Sequence, residues 1–411
     1  MKLKTIAALV LASVCVHAAF AQEVLETGSR KPMPAEWIDK DTGHRVMRLS
    51  GVDGHPISNW YFHNNPFIQQ LHDEGDKMVF QDRAGGDAQI FTLNLRTHKV
   101  EQVTNEPGQK RVLPMIARKT REVLWQAGDT IYATSVDTHA TRKLYTFPAG
   151  KRGGLATINA DGTMFAGSYA APEQMEINRK YPKKSDYFNR IYDAHLLNSI
   201  FTINIATGEF KVVHEENNWL GHIQFSPTDP DVLMFCHEGP WHKVDRIWRY
   251  NIKDQSTTLM HKRTMDMEIA GHEGFSPDGK SIWFDLQRPR GEKFYFAGAD
   301  VKDGHEIASY ELARDEWSIH YAVAPGEKMF AGDGGDPTQV AKAPNGMFIY
   351  AFYPEGNRFR SEKLVNMKAH GYRDLEPNVH FTPDGKWVVF GGTFEGRHET
   401  YAVEIAKAKT K

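Results

Sequence analysis

The chain repeats one short pattern along its length: a turn containing Asp, Gly or Pro, followed by an apolar strand. The clearest copies are FSPDGKSIWF at residues 275–284 and FTPDGKWVVF at 381–390. In such turns glycine takes the positive φ at which two antiparallel strands reverse direction. Repetition at about fifty residues is typical of a radial array of small sheets. Weaker copies occupy residues 71–80, 116–125, 158–167, 225–235 and 323–332.

A second class of strand follows most copies, as in FTINIATGEFKVVHE and IWRYNIKDQSTTLMH. These segments alternate apolar and polar residues, turn, and return. Two hairpins per repeat make a four-stranded antiparallel sheet, and a ring of such sheets is a β-propeller. The sequence therefore predicts an all-β fold, a seven-bladed β-propeller that spans residues 22–411 as a single domain. Two stacked β domains are the alternative, and the even spacing of the copies favours the propeller.

Two departures from the repeat carry further predictions. Residues 169–197 are rich in Lys, Asp, Tyr and Pro, and we interpret them as an insertion in one blade. A strand near residues 45–49 is expected to complete the last blade beside residues 400–406. Closing the ring in this way removes a free sheet edge.

Charge and hydropathy exclude two classes of partner. The 50 basic and 52 acidic residues give a formal charge of −2, which argues against a nucleic-acid-binding protein. Beyond the N-terminus no stretch approaches about 18 consecutive apolar residues, so no membrane span is expected. No feature indicates an obligate protein partner.

Residues 1–21 have the features of a secretory signal peptide. Lys2 and Lys4 precede a short apolar run, and Ala19 and Ala21 provide the small residues of a cleavage site. We therefore expect a periplasmic or secreted protein. Cleavage leaves Cys236 as the remaining cysteine, which is predicted to be a small buried side chain.

Histidines recur just before several copies of the repeat. His222, His272, His320 and His380 each precede an apolar strand by a few residues. In a propeller these positions face a shared central cavity. A single such histidine is more often structural, whereas repeated ones favour a metal or acid–base site.

Other polar groups near these positions have more than one interpretation. Asp333 and Asp336 fit either a cation site or a tight turn. Arg288 and Arg290 fit either a site for an acidic sugar or a solvated loop. A nucleophilic pair of Cys236 with its neighbour is disfavoured, because adjacent strand residues point to opposite faces.

Several motifs resemble the oligogalacturonate lyases of polysaccharide lyase family 22. The resemblance is carried by NWLGH at 218–222, by FCHEGP at 235–240 and by Val244-Asp245-Arg246. It extends over most of the chain and is densest from about residue 215 to 405. It implies a seven-bladed β-propeller that cleaves short pectic oligomers by β-elimination with a divalent cation, usually manganese.

The resemblance also implies roles for individual residues. Arg246 matches the family's proposed Brønsted base, His272 an active-site histidine and His320 a metal ligand. The family's other three ligands are a Gln and a His-x-His pair. Those positions hold Arg373, Glu376 and Asn378 in this chain.

We therefore predict a divalent cation, Mn or Ca, bound partly through oxygen. The predicted metal ligands are His320, Glu376, Asn378 and His380.

Removal of a uronate C5 proton requires a base and a neutralised carboxylate. A histidine with a pKa near about 6.5 is an easier base than an arginine with a pKa above about 12. The role of Arg246 therefore stays open between proton abstraction and carboxylate neutralisation. The predicted catalytic residues are Arg246, His272 and His237. The predicted substrate-binding residues are His222, Trp241, Arg288 and Arg290.

These observations predict an exported lyase that cleaves uronate-containing oligosaccharides by metal-assisted β-elimination. Two alternatives stay open. One is a glycoside hydrolase acting on uronate-linked sugars on the same propeller. The other is a non-catalytic binding propeller of the TolB type.

Overall fold

A computed structural model describes residues 22–50, 60–69, 75–82, 88–108, 114–149 and 153–408. The predicted signal peptide, residues 1–21, lies outside the described residues. Within them the regular structure is 30 β-strands, two α-helices and a short 3-10 helix at Arg314–Glu316. The all-β prediction is confirmed, and the topology is that of a β-propeller-like fold.

Four sheets each contain four consecutive antiparallel strands. The first sheet consists of β4 (Phe67–Ile68), β5 (Lys77–Asp82), β6 (Gln89–Asn94) and β7 (Val100–Gln102). The second consists of β8 (Met115–Ala117), β9 (Glu122–Ala127), β10 (Thr130–Ser135) and β11 (Thr141–Thr146). The third consists of β12 (Thr157–Ile158), β13 (Met164–Tyr169), β14 (Asn198–Asn204) and β15 (Phe210–Glu216). The fourth consists of β16 (Leu220–Phe225), β17 (Val232–His237), β18 (Ile247–Asn251) and β19 (Thr257–Leu259).

The next eight strands form one sheet from two groups of four, which a single parallel pair, Glu311 with Arg358, joins at their edges. The first group consists of β20 (Ile269–Phe275), β21 (Ser281–Gln287), β22 (Phe294–Asp300) and β23 (Glu306–Leu312). The second consists of β24 (Tyr321–Val323), β25 (Phe330–Gly332), β26 (Phe348–Glu355) and β27 (Arg358–Asn366).

The last sheet combines both ends of the chain. Its order is β1-β2-β3-β30-β29-β28, and Val46 lies opposite Val403 where β3 pairs with β30. The predicted pairing of the N-terminal strand with the C-terminal one is therefore confirmed. The strands are β1 (Val24–Leu25), β2 (Glu36–Asp39), β3 (His44–Arg48), β28 (His380–Phe381), β29 (Trp387–Gly392) and β30 (Glu399–Lys407).

The repeat forms the tight turn that its sequence predicts. Between β20 and β21, Gly279 has φ +71°, a conformation that favours glycine. The Asp278 carboxylate accepts a hydrogen bond from the Lys280 amide at 3.1 Å. The Ser276 hydroxyl oxygen likewise accepts one from the Ser281 amide at 3.1 Å. The turn thereby delivers β21 into the core, where every residue of that strand is buried.

The core lies between neighbouring sheets. One buried apolar cluster contains Phe80 of the first sheet, Trp125 of the second and Val389 of the last. The first and last sheets of the chain therefore pack against each other as well as against their sequence neighbours. That packing supports a closed arrangement of sheets.

Two helices lie where the sequence predicted an insertion, between β13 and β14. They are α1 (Pro172–Lys180) and α2 (Lys184–Ala194). Proline at the first position of α1 suits a helix start because its missing N–H has no partner there. Among the described helices, none has the length and apolar character needed to cross a membrane.

Candidate active site

Two predicted histidines occupy matching irregularities in consecutive strand groups. His222 in β16 and His272 in β20 have φ of +47° and +49°. Each lies where the pairing register shifts, between Gly221 and Gln224 in one strand and between Gly271 and Gly274 in the other. Such a bulge re-aims a side chain, and left-handed non-glycine residues cluster at functional sites. The bulges therefore mark this end of the two strands as a candidate site.

A cavity of about 450 Å³ opens beside these strands. Its wall brings together four of the residues predicted for the site from different strands and loops. Aromatic side chains from α2 and from two loops complete the lining. The cavity is large enough for a sugar and has both polar and apolar surfaces. The four predicted residues are Trp241, His272, Arg290 and Glu376.

His272 is a neutral imidazole on this wall. It makes no hydrogen bond to any residue that the structure describes, and its Nδ1 is buried. Its ring meets His320 edge-on with centroids 4.8 Å apart, and Trp241 in the same way at 5.2 Å. Burial, followed by the charges of His320 and Arg246, holds the pKa of His272 well below its usual value. His272 is therefore neutral, and its buried Nδ1 has no hydrogen-bond partner among the described residues.

A buried ionic cluster lies next to this wall. Arg246 is 2% exposed, and its Nε donates to Glu273 Oε2 at 3.0 Å while its Nη1 donates to Glu238 Oε2 at 3.1 Å. Burial lowers the pKa of Arg246, but Cys236, Glu273 and Glu238 together raise it well above its usual value. The guanidinium therefore stays protonated, which argues against Arg246 as a base.

The cluster also holds His222. Its Nε2 lies 3.4 Å from Glu238 Oε1, and its Nδ1 lies 3.4 Å from Glu273 Oε1. The Arg246 guanidinium lies over the Trp241 ring, with Cζ 4.9 Å from the centroid. Trp241 lines the cavity, whereas neither Arg246 nor His222 is among the described residues of its lining. Both predicted site residues thus lie one layer behind the wall.

His320 and Glu376 fit a divalent cation. Asp333 Oδ2 lies 2.9 Å from His320 Nδ1, and Asp333 Oδ1 accepts a hydrogen bond from the His320 amide at 2.8 Å. A carboxylate on one ring nitrogen orients the other toward a metal. His320 Nε2 is buried without a hydrogen bond to any described residue, and Glu376 Oε2 lies 3.6 Å from it. Imidazole and carboxylate are both ligands of divalent metals, and the carboxylate suits Mn²⁺.

The other two predicted metal ligands have structural partners. Asn378 Oδ1 accepts a hydrogen bond from the Phe62 amide at 3.0 Å, and its Nδ2 donates to the Glu376 carbonyl at 2.8 Å. His380 Nε2 lies 3.3 Å from the Tyr61 carbonyl, and burial lowers its pKa to about 4. These contacts involve Asn378 and one ring nitrogen of His380, whose Nδ1 is buried without a hydrogen bond to any described residue, so the ligand role of both stays a prediction. They secure the segment that precedes β4.

A buried carboxyl group lies on the same cavity wall. Asp285 accepts hydrogen bonds from Gln287 Nε2 at 3.0 Å and from Trp317 Nε1 at 3.1 Å. Burial raises the pKa of Asp285 to about 7, against the opposing effect of these two donors. Gln287 Oε1 in turn accepts the Gly291 amide at 2.9 Å. The strand thereby holds the loop that presents the exposed Arg290 to the cavity.

The family model described as oligogalacturonate lyase matches residues 33–410 of this chain. The chain belongs to the oligogalacturonate lyase family. The resemblance found in the sequence motifs is thus confirmed, and family membership indicates a lyase that acts on a polysaccharide.

Relatives of similar length agree with the family assignment. The oligogalacturonide lyase of Pectobacterium atrosepticum is 25% identical over 382 residues, which cover 89% of this chain and 95% of that protein. The oligogalacturonate lyase of Dickeya dadantii is 24% identical with the same coverage.

Solved structures of oligogalacturonate lyases share the fold. One in complex with manganese has a TM-score of 0.75 at 23% identity, covering 90% of this chain and 96% of that one. The enzyme from Vibrio parahaemolyticus has a TM-score of 0.76 at 22% identity with the same coverage.

Two residues predicted for the site of this oligogalacturonate lyase family member lie elsewhere. His237 Nε2 lies 2.6 Å from Glu216 Oε1, on the strand face opposite Cys236. Arg288 is paired with Glu268 and Glu306, at 3.4 and 3.3 Å. Neither side chain lines the cavity, so the geometry does not support a catalytic His237 or a substrate-binding Arg288.

Sequence reasoning missed the segment before β4. The Phe62 ring stacks on His320 with centroids 4.9 Å apart, and Tyr61 meets the same ring edge-on at 5.3 Å. His63 lies beside His222, and burial lowers the pKa of His63 to about 3. The available signal was the aromatic run WYFH just before the first repeat, where other repeats carry a histidine.

A second group of possible metal ligands lies away from the cavity. Asp300, Asp303 and His305 place ligand atoms within 4.8 Å of one another in the turn between β22 and β23. Asp303 and His305 are exposed, and none of the three lines the cavity. Exposed acidic groups of this kind are common without an ion, so this turn adds nothing to the candidate active site.

Proposed function

We propose that this member of the oligogalacturonate lyase family cleaves oligogalacturonides and related uronate oligosaccharides by β-elimination in the cavity beside His272. The observation that carries the proposal is the neutral, unpartnered imidazole of His272 on the wall of a cavity that also presents Arg290. The names of the two bacterial relatives support oligogalacturonides as the substrate class.

The reaction assigns a proton step to His272. An imidazole nitrogen accepts the C5 proton of the uronate, the electron pair forms the C4–C5 double bond, and the bond from C4 to the glycosidic oxygen breaks. Proton transfer by a positioned histidine contributes about 10²–10⁴-fold to a rate. Asp285, which retains a proton near neutral pH, is the proposed donor to the departing oxygen.

Substrate carboxylates and sugar rings have separate contacts. Arg290 is exposed at the cavity and forms no ion pair with any described residue, so its guanidinium is available to a carboxylate. Trp241 offers an apolar surface against which a sugar ring can pack. Arg246 acts as a positioning residue, because its charge holds Glu238 and Glu273 in place behind Trp241.

His320 Nε2 and Glu376 would hold the divalent cation, for which manganese is the first choice because a solved family structure contains it. When bound, the cation neutralises a uronate carboxylate and so acidifies the adjacent C5 proton. Asp333 keeps His320 oriented toward it. Calorimetric titration with Mn²⁺ tests the site directly, and we expect His320→Ala to remove the binding.

The proposal includes architecture and location. We infer seven blades, because the eight-stranded sheet consists of two groups of four and the other sheets each contribute one such group.

We also infer export, on the basis of the N-terminal signal-like segment. N-terminal sequencing of protein from a periplasmic extract would find Gln22 as the first residue if cleavage occurs as predicted.

The activity test uses purified protein with di-, tri- and tetragalacturonate in the presence of Mn²⁺. We expect a 4,5-unsaturated product, detected by its ultraviolet absorbance, and its loss in His272→Gln. Reducing sugar released without that absorbance would indicate a hydrolase. No turnover of any uronate oligomer by the wild-type protein would contradict the proposal.

A further inference from the structure

The helical insertion carries a group of exposed basic side chains. The end of α1 and the first part of α2 contain five exposed basic residues. None of them forms an ion pair with any residue in the described part of the chain. We call this group the basic corner, and it consists of Arg179, Lys180, Lys183, Lys184 and Arg190.

The basic corner reaches the cavity at Lys184. One helical turn after Lys184, Phe188 lines the cavity, and the Lys184 Nζ lies 5.5 Å from the centroid of its ring. The charge of Lys184 is also among those that lower the pKa of His272, which places the two groups within electrostatic reach. Lys184 therefore lies beside the cavity, on the side formed by the insertion.

Packing fixes α2 in this position. The Phe188 ring lies 5.3 Å from the Trp219 ring, between centroids. The Tyr192 ring covers Gly239 so closely that a Cβ added to this glycine would lie 2.5 Å from it. Because Gly239 also lines the cavity, the same contacts align α2 with the candidate site. A side chain on this helix can therefore act at a defined distance from a bound sugar.

Two lysines lie at the N-terminus of α2, where the helix dipole disfavours them. Lys183 is the N-cap residue and Lys184 the first residue, without a side-chain capping hydrogen bond, and Asp186 is the acidic residue of the first turn. Cations at a helix N-terminus oppose the helix dipole, and acidic or hydroxyl residues are preferred there. An anion bound at Lys184 would relieve this repulsion. The lysines thus have a cost in the free protein that a bound carboxylate offsets.

We propose that Lys184 forms a distal subsite that binds the carboxylate of a uronate residue adjoining those in the cavity. The inference rests on the proposed function and deepens it, because it specifies how substrate length is recognised. Arg290 binds a carboxylate inside the cavity, and Lys184 binds the next one at its rim. On this proposal a dimer is held by Arg290 alone, whereas a trimer engages both cations. The insertion therefore favours oligomers longer than the dimer.

The test compares KM for di- and trigalacturonate in Lys184→Ala and Lys184→Glu. Because an exposed ion pair is worth at most about 1 kcal/mol and is screened by salt, we expect Lys184→Ala to raise KM for the trimer about three- to fivefold. KM for the dimer should stay within about twofold, on the same reasoning. Lys184→Glu, which reverses the charge, should raise KM for the trimer more than Lys184→Ala does. Lys143→Ala, on the exposed strand β11, is the matched control and should change neither value.

A binding measurement separates this inference from the proposed reaction. Trigalacturonate is titrated calorimetrically into His272→Gln, with and without Lys184→Glu. Weaker trimer binding with unchanged dimer binding supports the subsite even if the wild-type protein shows no turnover, a result that would overturn the reaction alone. Equal effects on dimer and trimer, or no effect on either, would overturn the subsite while leaving the reaction intact.

Discussion

His222 and His272 have the same backbone position in two consecutive strand groups and opposite surroundings. Both residues have a positive φ and lie at a bulge in the first strand of their group. His222 lies 3.4 Å from each of two carboxylates, whereas His272 contacts only rings and makes no hydrogen bond to a described residue. The repeat thus determines the position of each imidazole, whereas residues outside the repeat determine which groups the imidazole contacts.

The residues that create this difference are few. Glu238 belongs to the loop after β17 and reaches His222, while Trp241 from the same loop covers His272. An imidazole between carboxylates is held in place, and one among rings is kept neutral and free. We therefore assign a positioning role to the ionic cluster that contains His222 and the proton transfer to His272.

The largest expected effect is the loss of turnover in His272→Gln. Because this variant removes the proposed base, kcat should fall by about 10²–10⁴-fold. For His222→Gln at the matching position, the fall in kcat should be at least about tenfold smaller, because His222 does not contact the substrate in the proposed reaction. Initial rates of unsaturated product, with the melting temperature of each variant, make the comparison. Equal losses in the two variants would remove the distinction between them.

The next effect is on stability. Arg246→Met leaves Glu238 and Glu273 buried without their cation, so we expect the free energy of unfolding to fall by about 3–5 kcal/mol. Arg360→Met, which breaks an exposed pair with Glu355, should cost at most about 1 kcal/mol. Urea unfolding followed by circular dichroism measures both. A small loss in Arg246→Met would show that the ionic cluster is not a positioning element.

A third test concerns the pH dependence of kcat/KM. Asp285 must be protonated to donate, so activity should decline about tenfold per pH unit above its pKa of about 7. His272 has a pKa well below its usual value and stays neutral over this range. In Asp285→Asn the decline should vanish along with most of the activity. An unchanged alkaline limb in that variant would exclude Asp285 as the donor.

The last test concerns stability in acid, where the effect is absent at neutral pH and grows as the pH falls. His380 has a folded-state pKa of about 4, against about 6.5 in the unfolded chain. Below pH 6.5 the unfolded state binds a proton that the native state does not, so stability falls as pH drops toward 4, by up to about 1.4 kcal/mol per unit. His380→Gln should flatten this dependence, and His139→Asn on the surface should not. Identical pH profiles for all three proteins would contradict the assignment.

Much of the architecture follows from local sequence. The Pro-Asp-Gly turns, the alternating strands and the insertion all have local signatures, because turn conformation and strand alternation depend on neighbouring residues. The pairing of β3 with β30 was also predictable, since an unpaired edge strand would otherwise remain.

The site was harder to predict, because its contacts join distant segments. The hydrogen bond from the Phe62 amide to Asn378 joins residues more than three hundred positions apart, so no local pattern predicts it. The sequence therefore predicts Asn378 and His380 as metal ligands without showing that they also hold the loop before β4. The contact of His237 is hard to predict for a different reason, since its partner Glu216 lies on the neighbouring strand group.

The sheet that contains both ends of the chain has a consequence for biosynthesis. β3 finds its partner only when residues 399–407 have left the ribosome. This sheet therefore stays incomplete through almost all of translation, which is compatible with the export that we propose.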